Sequence, residues 1–121
     1  MLVKSAYTYE PDNDFVDDIS GSEADCSGYT GGFAGAGRKS ATVTITEQTA
    51  SNRVVHIFND LTWTALGTGN TLRAAVWIRE VTNDAASFPL AYLQFSSDLV
   101  TNGGDATVDF DGTNGNVRWA V

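Results

Sequence analysis

Few side chains in this sequence are suited to acid–base or nucleophilic chemistry, and they lie apart from one another. His56 is the only histidine and lies inside the apolar run 53–58, with no serine motif beside it. A general base needs a partner that orients it and a substrate or nucleophile within reach. The only cysteine, Cys26, stands next to Asp25, and an acidic neighbour disfavours the reactive thiolate. We therefore expect His56 to be structural, Cys26 to be buried or inert, and the protein not to be an enzyme, with no catalytic residues.

Acidic side chains suggest a calcium site, because hard cations prefer several carboxylate oxygens. A loop that starts at Asp12 has Asp14 at its third position, but Val16 at the fifth, where another oxygen ligand is needed. The segment 109–116 has acids at its first and third positions, but a glycine at the seventh and no glutamate at the twelfth. Its Asp-Gly and Asn-Gly pairs are typical of hairpin turns. We therefore expect turns rather than a metal site, and no cofactor.

Composition narrows the classes of partner. The chain has 121 residues, and its 7 basic and 15 acidic side chains give a net charge of −8 at pH 7. Such a charge opposes binding to a phosphate backbone, so we expect no nucleic-acid partner. The single cysteine cannot form an internal disulfide, and no apolar run approaches the length of about 18 residues that a membrane helix needs. We expect a soluble chain with no membrane partner.

The elements that position these side chains are predicted to be strands. From residue 40 onward, β-branched and aromatic residues alternate with polar ones in short runs that Gly, Asn and Asp separate. The expected spans are about 40–47, 52–58, 61–66, 71–81, 89–96, 104–110 and 115–120. The alternation directs Val43, Ile45 and Trp63 inward. We predict an all-β fold: a single-domain antiparallel sandwich or jelly-roll-like barrel of about six to eight strands with an acidic N-terminal arm.

The first 39 residues differ in composition from the rest. Residues 5–37 contain seven of the fifteen acidic side chains and no basic one. Five glycines surround two aromatic rings within 27–37, which predicts an ordered loop rather than a linker. We expect one domain, 1–121, in which the acidic arm and Gly-rich loop of residues 1–39 pack on a β body of residues 40–121.

One short helical turn is predicted inside the arm, at 14–19. Early acids suit a helix N-terminus, Asp12 or Asn13 is placed to cap it, and Gly21 suits its end. The face that packs on the body then carries three apolar residues, Phe15, Val16 and Ile19. Deleting residues 1–12 should leave the body folded, because they contain none of the predicted strands.

The longest predicted strand carries a candidate contact surface. One face holds four apolar residues, Leu72, Ala74, Val76 and Ile78. Arg73, Trp77 and Arg79 then lie on the other face, and Trp and Arg dominate the energetics of many protein interfaces. The alternative is a central strand that is buried on both faces, with the arginines at its rim. Either arrangement allows an acidic arm from a neighbouring subunit to cover the arginines. The candidate interface residues are Arg73, Trp77, Arg79, Asp14, Asp17, Asp18 and Tyr29.

Seven short segments, spread over nearly the whole chain, occur in an order that is typical of one family. They are DFVDDI (14–19), GY (28–29), RK (38–39), DLTWTAL (60–66), LRAAV (72–76), PLAY (89–92) and NGGD (102–105). In this order they resemble a family of small all-β proteins encoded among the structural genes of tailed bacteriophages. The chain departs from that family at 109–116, where its closing turn is longer and more acidic. No catalytic residue comes with the resemblance.

The resemblance implies a virion structural protein, and a small acidic all-β domain suits a capsid decoration (cement) protein. Such a protein would be made in the bacterial host cytoplasm, bind the major capsid protein on the capsid exterior and clamp neighbouring subunits. Several weak patches gain avidity in a symmetric oligomer, so we expect a homotrimer. The alternative is a tail or baseplate accessory domain that binds a host glycan or another tail protein through exposed aromatic residues, Tyr7, Tyr9, Tyr29 and Trp77. A glycosidase would need a positioned pair of carboxylates, which no spacing here indicates.

Overall fold

The computed structural model describes residues 1–110 and 117–120, with side chains described for residues 1–110. These residues form eight β-strands, one short α-helix and two 3₁₀ turns. The strands of both three-stranded sheets pair antiparallel, so the predicted all-β class with antiparallel strands is confirmed. The turn predicted within 109–116 lies largely outside the described residues.

The observed strands follow the predicted alternation closely. The elements in chain order are β1 (Leu2–Lys4), α1 (Asp17–Ser20), β2 (Val43–Gln48), a 3₁₀ turn (Thr49–Ser51), β3 (Arg53–Phe58), β4 (Leu61–Trp63), β5 (Thr71–Arg79), a 3₁₀ turn (Asp84–Ala86), β6 (Phe88–Val100), β7 (Ala106–Val108) and β8 (Val117–Ala120). Each of the seven predicted spans overlaps one of the strands β2 to β8. The first strand is not among the predictions, which begin at residue 40.

The strands form three open sheets. The first sheet has the order β1-β5-β6, the second has the order β2-β3-β8, and β4 pairs with β7 in a two-stranded ribbon. None of these sheets closes into a barrel within the part of the chain that the structure describes. The pairing of β5 with β6 contains two register irregularities, one of them beside Trp77. Such bulges bend a strand and increase its twist.

The chain divides into two compact units. The first contains residues 1–39 and 63–106, and the second contains residues 40–62 together with the described residues from 107 onward. The arm and the Gly-rich loop therefore belong to the same unit as β5 and β6.

The N-terminal residues are part of the core of the first unit. Leu2 and Val3 are fully buried on β1, which pairs with β5. Val16 and Ile19 are buried in the same apolar cluster, as predicted, and Val76 contributes to it from β5. Phe15, which was predicted to pack on the same face, is instead 38% exposed. The expectation that residues 1–12 can be deleted without loss of the fold is therefore wrong, because they supply a strand and part of this core.

The helix α1 is shorter than predicted. It begins at Asp17, and no side chain caps it. Asn13, which was expected to cap it, instead donates a hydrogen bond from Nδ2 to the hydroxyl oxygen of Tyr7 (3.0 Å). The helix ends at Gly21, as predicted. None of the helices described is long and apolar enough to cross a membrane.

Residues 43–47 of β2 are exposed on both faces of the strand, including the face predicted to point inward. Val55 on β3 is fully buried, but Thr46, which lies directly opposite it on β2, is exposed. Val43 and Ile45 occupy the other face of β2 and are 43% and 62% exposed. The prediction that these two residues point inward is wrong, because alternation defines the two faces of a strand but not which of them is covered.

Candidate functional site

The strand that carries the predicted contact surface is the centre of the first sheet. β5 lies between β1 and β6. Its first face is buried at Leu72, Ala74 and Val76, and its second face is buried at Ala75. Trp77 is half-buried at the same level as Ala91 of β6. This geometry corresponds to the alternative in which the strand is central and carries its arginines at the rim.

The two arginines of β5 have different surroundings. Arg73 is half-buried and donates two hydrogen bonds to Asp98, from Nε to Oδ1 and from Nη2 to Oδ2, both at 3.2 Å. Arg79 is exposed at the end of the strand. An acidic partner segment would therefore meet Arg79 directly, but at Arg73 it would compete with Asp98. The interface at Arg73, Trp77 and Arg79 stays a prediction.

The predicted acidic residues of the arm lie at the surface. Asp14, Asp17 and Asp18 are all exposed. The carboxylate of Asp18 accepts a hydrogen bond from the backbone N–H of Phe15 at 3.2 Å. These acids are open to a partner, whereas Asp25, another acid of the arm, is already paired with Lys4 at 2.9 Å.

Tyr29 does not belong to a contact surface, contrary to the prediction. Its side chain is only 6% exposed. Its hydroxyl donates a hydrogen bond to Glu23 Oε1 (2.8 Å) and accepts one from the backbone N–H of Leu2 (3.1 Å). A ring that is fixed in this way inside the first unit cannot contact another subunit. The ring instead packs against Gly37 of the Gly-rich loop, which agrees with the ordered loop predicted for 27–37.

Cys26 lies as the sequence analysis expects, and the structural role of His56 stays a prediction. Cys26 is a buried free thiol, which confirms the prediction of a buried residue. His56 is half-buried on β3, directly opposite Ile45 of β2. Partners on opposite positions of paired strands share a face of the sheet, so His56 accompanies the exposed apolar residues of β2.

The most highly connected polar side chain of the first unit is Arg38, which the sequence analysis did not single out. Its guanidinium donates a pair of hydrogen bonds to Glu23 (2.9 and 2.7 Å) and another pair to Asp84 (2.6 and 3.1 Å). A fifth bond reaches Glu80 Oε1 at 3.0 Å. The five N–H groups of an arginine side chain match these five bonds. We call Arg38, Glu23, Glu80 and Asp84 the Arg38 cluster.

The Arg38 cluster is protected from solvent at its centre. The side chains of Arg38 and Glu23 are 3% and 5% exposed. Burial by itself raises the pKa of Glu23, but hydrogen bonds from Arg38, Gly32 N–H and Tyr29, with the charge of Arg38, outweigh burial and lower that pKa. Burial likewise lowers the pKa of Arg38, and its bonds to the three carboxylates more than reverse this effect. Both groups therefore stay charged in the folded protein.

The cluster connects the Gly-rich loop with the end of β5. Glu23 accepts a hydrogen bond from the backbone of Gly32, and Glu80 accepts one from the backbone of Ala34. The guanidinium occupies the position between the carboxylates, and no group of side chains in the described residues is arranged to hold a metal ion. The arrangement is therefore suited to fixing the loop rather than to chemistry. The sequence feature that could have indicated the cluster is the position of Arg38, which is the first basic residue after seven acidic ones.

The second unit presents an exposed surface that contains Val43 and Ile45, both predicted to point inward. We call it the apolar patch and define it as Val43, Ile45, Val54 and His56, which share one face of the second sheet with Glu47 and Phe58. Val54 and His56 are half-buried, while the two residues of β2 are exposed. β2 has a hydrogen-bonded neighbour on one side only among the described strands. Both a sheet edge and an uncovered apolar face are therefore available there.

Comparisons with models of protein families, with curated proteins and with solved structures find no match to this chain.

Proposed function

We propose that the chain is a bacteriophage virion structural protein that decorates the capsid, where it joins neighbouring subunits of the major capsid protein. The observation that carries this proposal is the apolar patch, whose residues Val43 and Ile45 lie open on an edge strand. Exposed β-branched side chains on an edge strand favour association with another chain. Coverage by a capsid surface would remove this exposed apolar area from solvent.

The charge of the chain supports a position outside the packaged genome. Its net charge of −8 at pH 7 is repelled by nucleic acid. The exposed Asp14, Asp17 and Asp18 add a negative surface to the first unit. The resemblance of the seven segments to proteins of phage structural gene clusters supports the same role.

The proposal includes self-association into a homotrimer. A trimer would present three apolar patches to the capsid at once, so that weak contacts add through avidity. Light scattering of the purified protein should give three times the chain mass of 12.9 kDa. A monomer both in solution and on the capsid would contradict the trimer.

Binding to purified expanded shells of the same phage tests the decoration role. Wild type should co-sediment with shells and raise the temperature at which they break. Ile45→Glu should weaken shell binding about ten- to hundredfold, because burying an isoleucine contributes about 1.5–3 kcal/mol and each 1.4 kcal/mol is tenfold. Thr44→Glu is the matched control, since Thr44 is exposed on the other face of the same strand, and its binding should stay near wild type.

Two results would overturn the proposal. Equal shell binding by Ile45→Glu and Thr44→Glu would show that the apolar patch is not part of the contact with the shell. Failure of the wild type to bind shells, with binding to tail complexes or host cells instead, would replace decoration by the tail or baseplate accessory function.

A further inference from the structure

A pocket with a volume of about 130 Å³ lies in the first unit, lined mainly by residues of the segment 7–13 and of β6. Tyrosine rings, a carboxylate and an amide form its walls beside the buried Val76. The lining residues that give it its chemistry are Tyr7, Tyr9, Glu10, Asn13, Val76 and Tyr92. We call it the tyrosine pocket.

The three rings of the tyrosine pocket are grouped around Tyr92. The ring centroid of Tyr92 lies 5.9 Å from that of Tyr7 and 5.3 Å from that of Tyr9, and the ring planes are inclined by 54° and 32°. The hydroxyl of Tyr7 accepts a hydrogen bond from Asn13 Nδ2 at 3.0 Å, which holds this buried ring in place. Tyr9 is 54% exposed and stands at the entrance. Tyr7 and Tyr9 thus pack against Tyr92 at the separations usual for aromatic pairs, and all three rings line one small space.

The electrostatics of the tyrosine pocket favour a cation. Aromatic faces are negative, and Glu10 adds a carboxylate to the wall. Among the described lining residues none is Lys, Arg or His. The positive charge of Arg73 lies near Tyr92 in the same sheet, but Asp98 forms an ion pair with Arg73 and compensates this charge. The net charge of −8 further disfavours an anionic ligand.

The size of the pocket limits the ligand to a single end group. A cavity of about 150 Å³ accepts benzene, whereas sites for drug-sized ligands span about 300–1,000 Å³. A volume of about 130 Å³ therefore suits a group of about benzene size. We propose that the tyrosine pocket binds the quaternary ammonium group of a small organic cation, through the faces of Tyr9 and Tyr92 and the carboxylate of Glu10.

The choice of a quaternary ammonium follows from the aromatic rings in the lining, which include three tyrosines. Recognition of quaternary ammonium groups is the common functional use of cation–π contacts. A quaternary ammonium has no N–H group, so aromatic faces and one carboxylate are sufficient for it. The proposal uses residues of the first unit only and does not depend on the virion role.

Titration of the full chain with choline tests this proposal. Isothermal calorimetry should give saturable binding, and ring proton signals of the tyrosines should shift in NMR spectra. The neutral carbon isostere 3,3-dimethylbutan-1-ol has the same shape without the charge, and it should bind about five- to thirtyfold more weakly, as cation–π contacts of about 1–2 kcal/mol imply. Sodium chloride at the same concentration controls for ionic strength.

Substitutions locate the binding in the pocket. Tyr9→Ala should weaken choline binding about five- to thirtyfold, while Tyr9→Phe keeps the ring and should bind as wild type does. Glu10→Gln should weaken binding, whereas Asp12→Asn removes the same charge from a residue outside the lining and should leave it unchanged. Tyr9 and Glu10 are exposed, so both variants should fold.

Three results would overturn the proposal. Equal affinity for choline and the neutral isostere would make the space a simple apolar cavity. Choline binding that survives both Tyr9→Ala and Glu10→Gln would place the site elsewhere. Absence of saturable choline binding to the folded wild type would show that the tyrosine pocket does not bind a quaternary ammonium group.

Discussion

Replacing Arg38 by methionine should destabilise the protein more than any other single removal of a charge described above. Methionine keeps an unbranched stem of similar length but removes all five hydrogen bonds to Glu23, Glu80 and Asp84. Glu23 then keeps only the Tyr29 hydroxyl and the Gly32 N–H as donors. Its carboxylate remains buried without a counter-ion.

The expected loss follows from this burial. Removing one partner of a buried ion pair costs about 3–5 kcal/mol, because the other charge is left uncompensated. A domain of this size has a total stability of about 5–15 kcal/mol. With about 4 °C of melting temperature per kcal/mol for a chain of this length, Arg38→Met should melt about 12–20 °C below wild type.

Thermal and urea unfolding followed by circular dichroism measure the effect. Arg73→Met is the matched control, since it breaks the more exposed pair with Asp98, and exposed pairs contribute little to stability. Arg38→Lys should be intermediate, because lysine keeps the charge without the planar fork that serves two carboxylates. If Arg38→Met lost no more stability than Arg73→Met, the cluster would not stabilise the fold and the reasoning from burial would be refuted.

Three further predictions concern the same unit. The pKa of Glu23 is lower in the folded protein than its unfolded value of 4.5. The ionised carboxylate therefore stabilises the fold above pH 4.5, and this stabilisation is lost as pH falls through the folded pKa. The free energy of unfolding should consequently fall less steeply on acidification in Arg38→Met than in wild type. Deleting residues 1–12 should abolish cooperative unfolding in calorimetry, and a folded truncated chain would contradict the role of β1 in the core. Gly28→Ala should lower stability by about 1–3 kcal/mol, because Gly28 has a φ of +86° and an added Cβ would lie 2.5 Å from a backbone oxygen. Gly21→Ala, with a φ of −64° and open space around it, should be neutral or slightly stabilising in the same melting assay.

Local patterns predicted the strands because each strand from β2 to β8 carries its own alternation. Turn residues such as Asn59-Asp60 and Asn83-Asp84 separate them in the sequence. The side of each strand that is covered depends on partners far away in the chain. That is why the alternation of β2 was right while Val43 and Ile45 were wrongly assigned to the core.

The position of the acidic arm was harder to predict than its local structure. Acids and glycines suggested an arm and a loop that pack on a separate β body, yet β1 completes the first sheet and Tyr29 is in the core. Glu23 tolerates burial because Arg38, 15 positions away in the sequence, compensates it. A pairing at this separation leaves no periodic signal, so composition alone assigns both residues to the surface.

The two proposed surfaces lie in different compact units, and this separates their tests. The apolar patch belongs to the second unit and the tyrosine pocket to the first. Ile45→Glu should therefore weaken shell binding and leave choline binding unchanged, while Tyr9→Ala should do the reverse. A variant that impairs both would indicate loss of the fold, which its melting temperature would reveal. The two surfaces also depend on different physical interactions: the apolar patch on burial of apolar side chains, and the tyrosine pocket on attraction of a cation. Their binding should therefore respond differently to salt. Increasing salt screens the attraction of Glu10 for a cation and leaves apolar contacts through Ile45 intact or stronger.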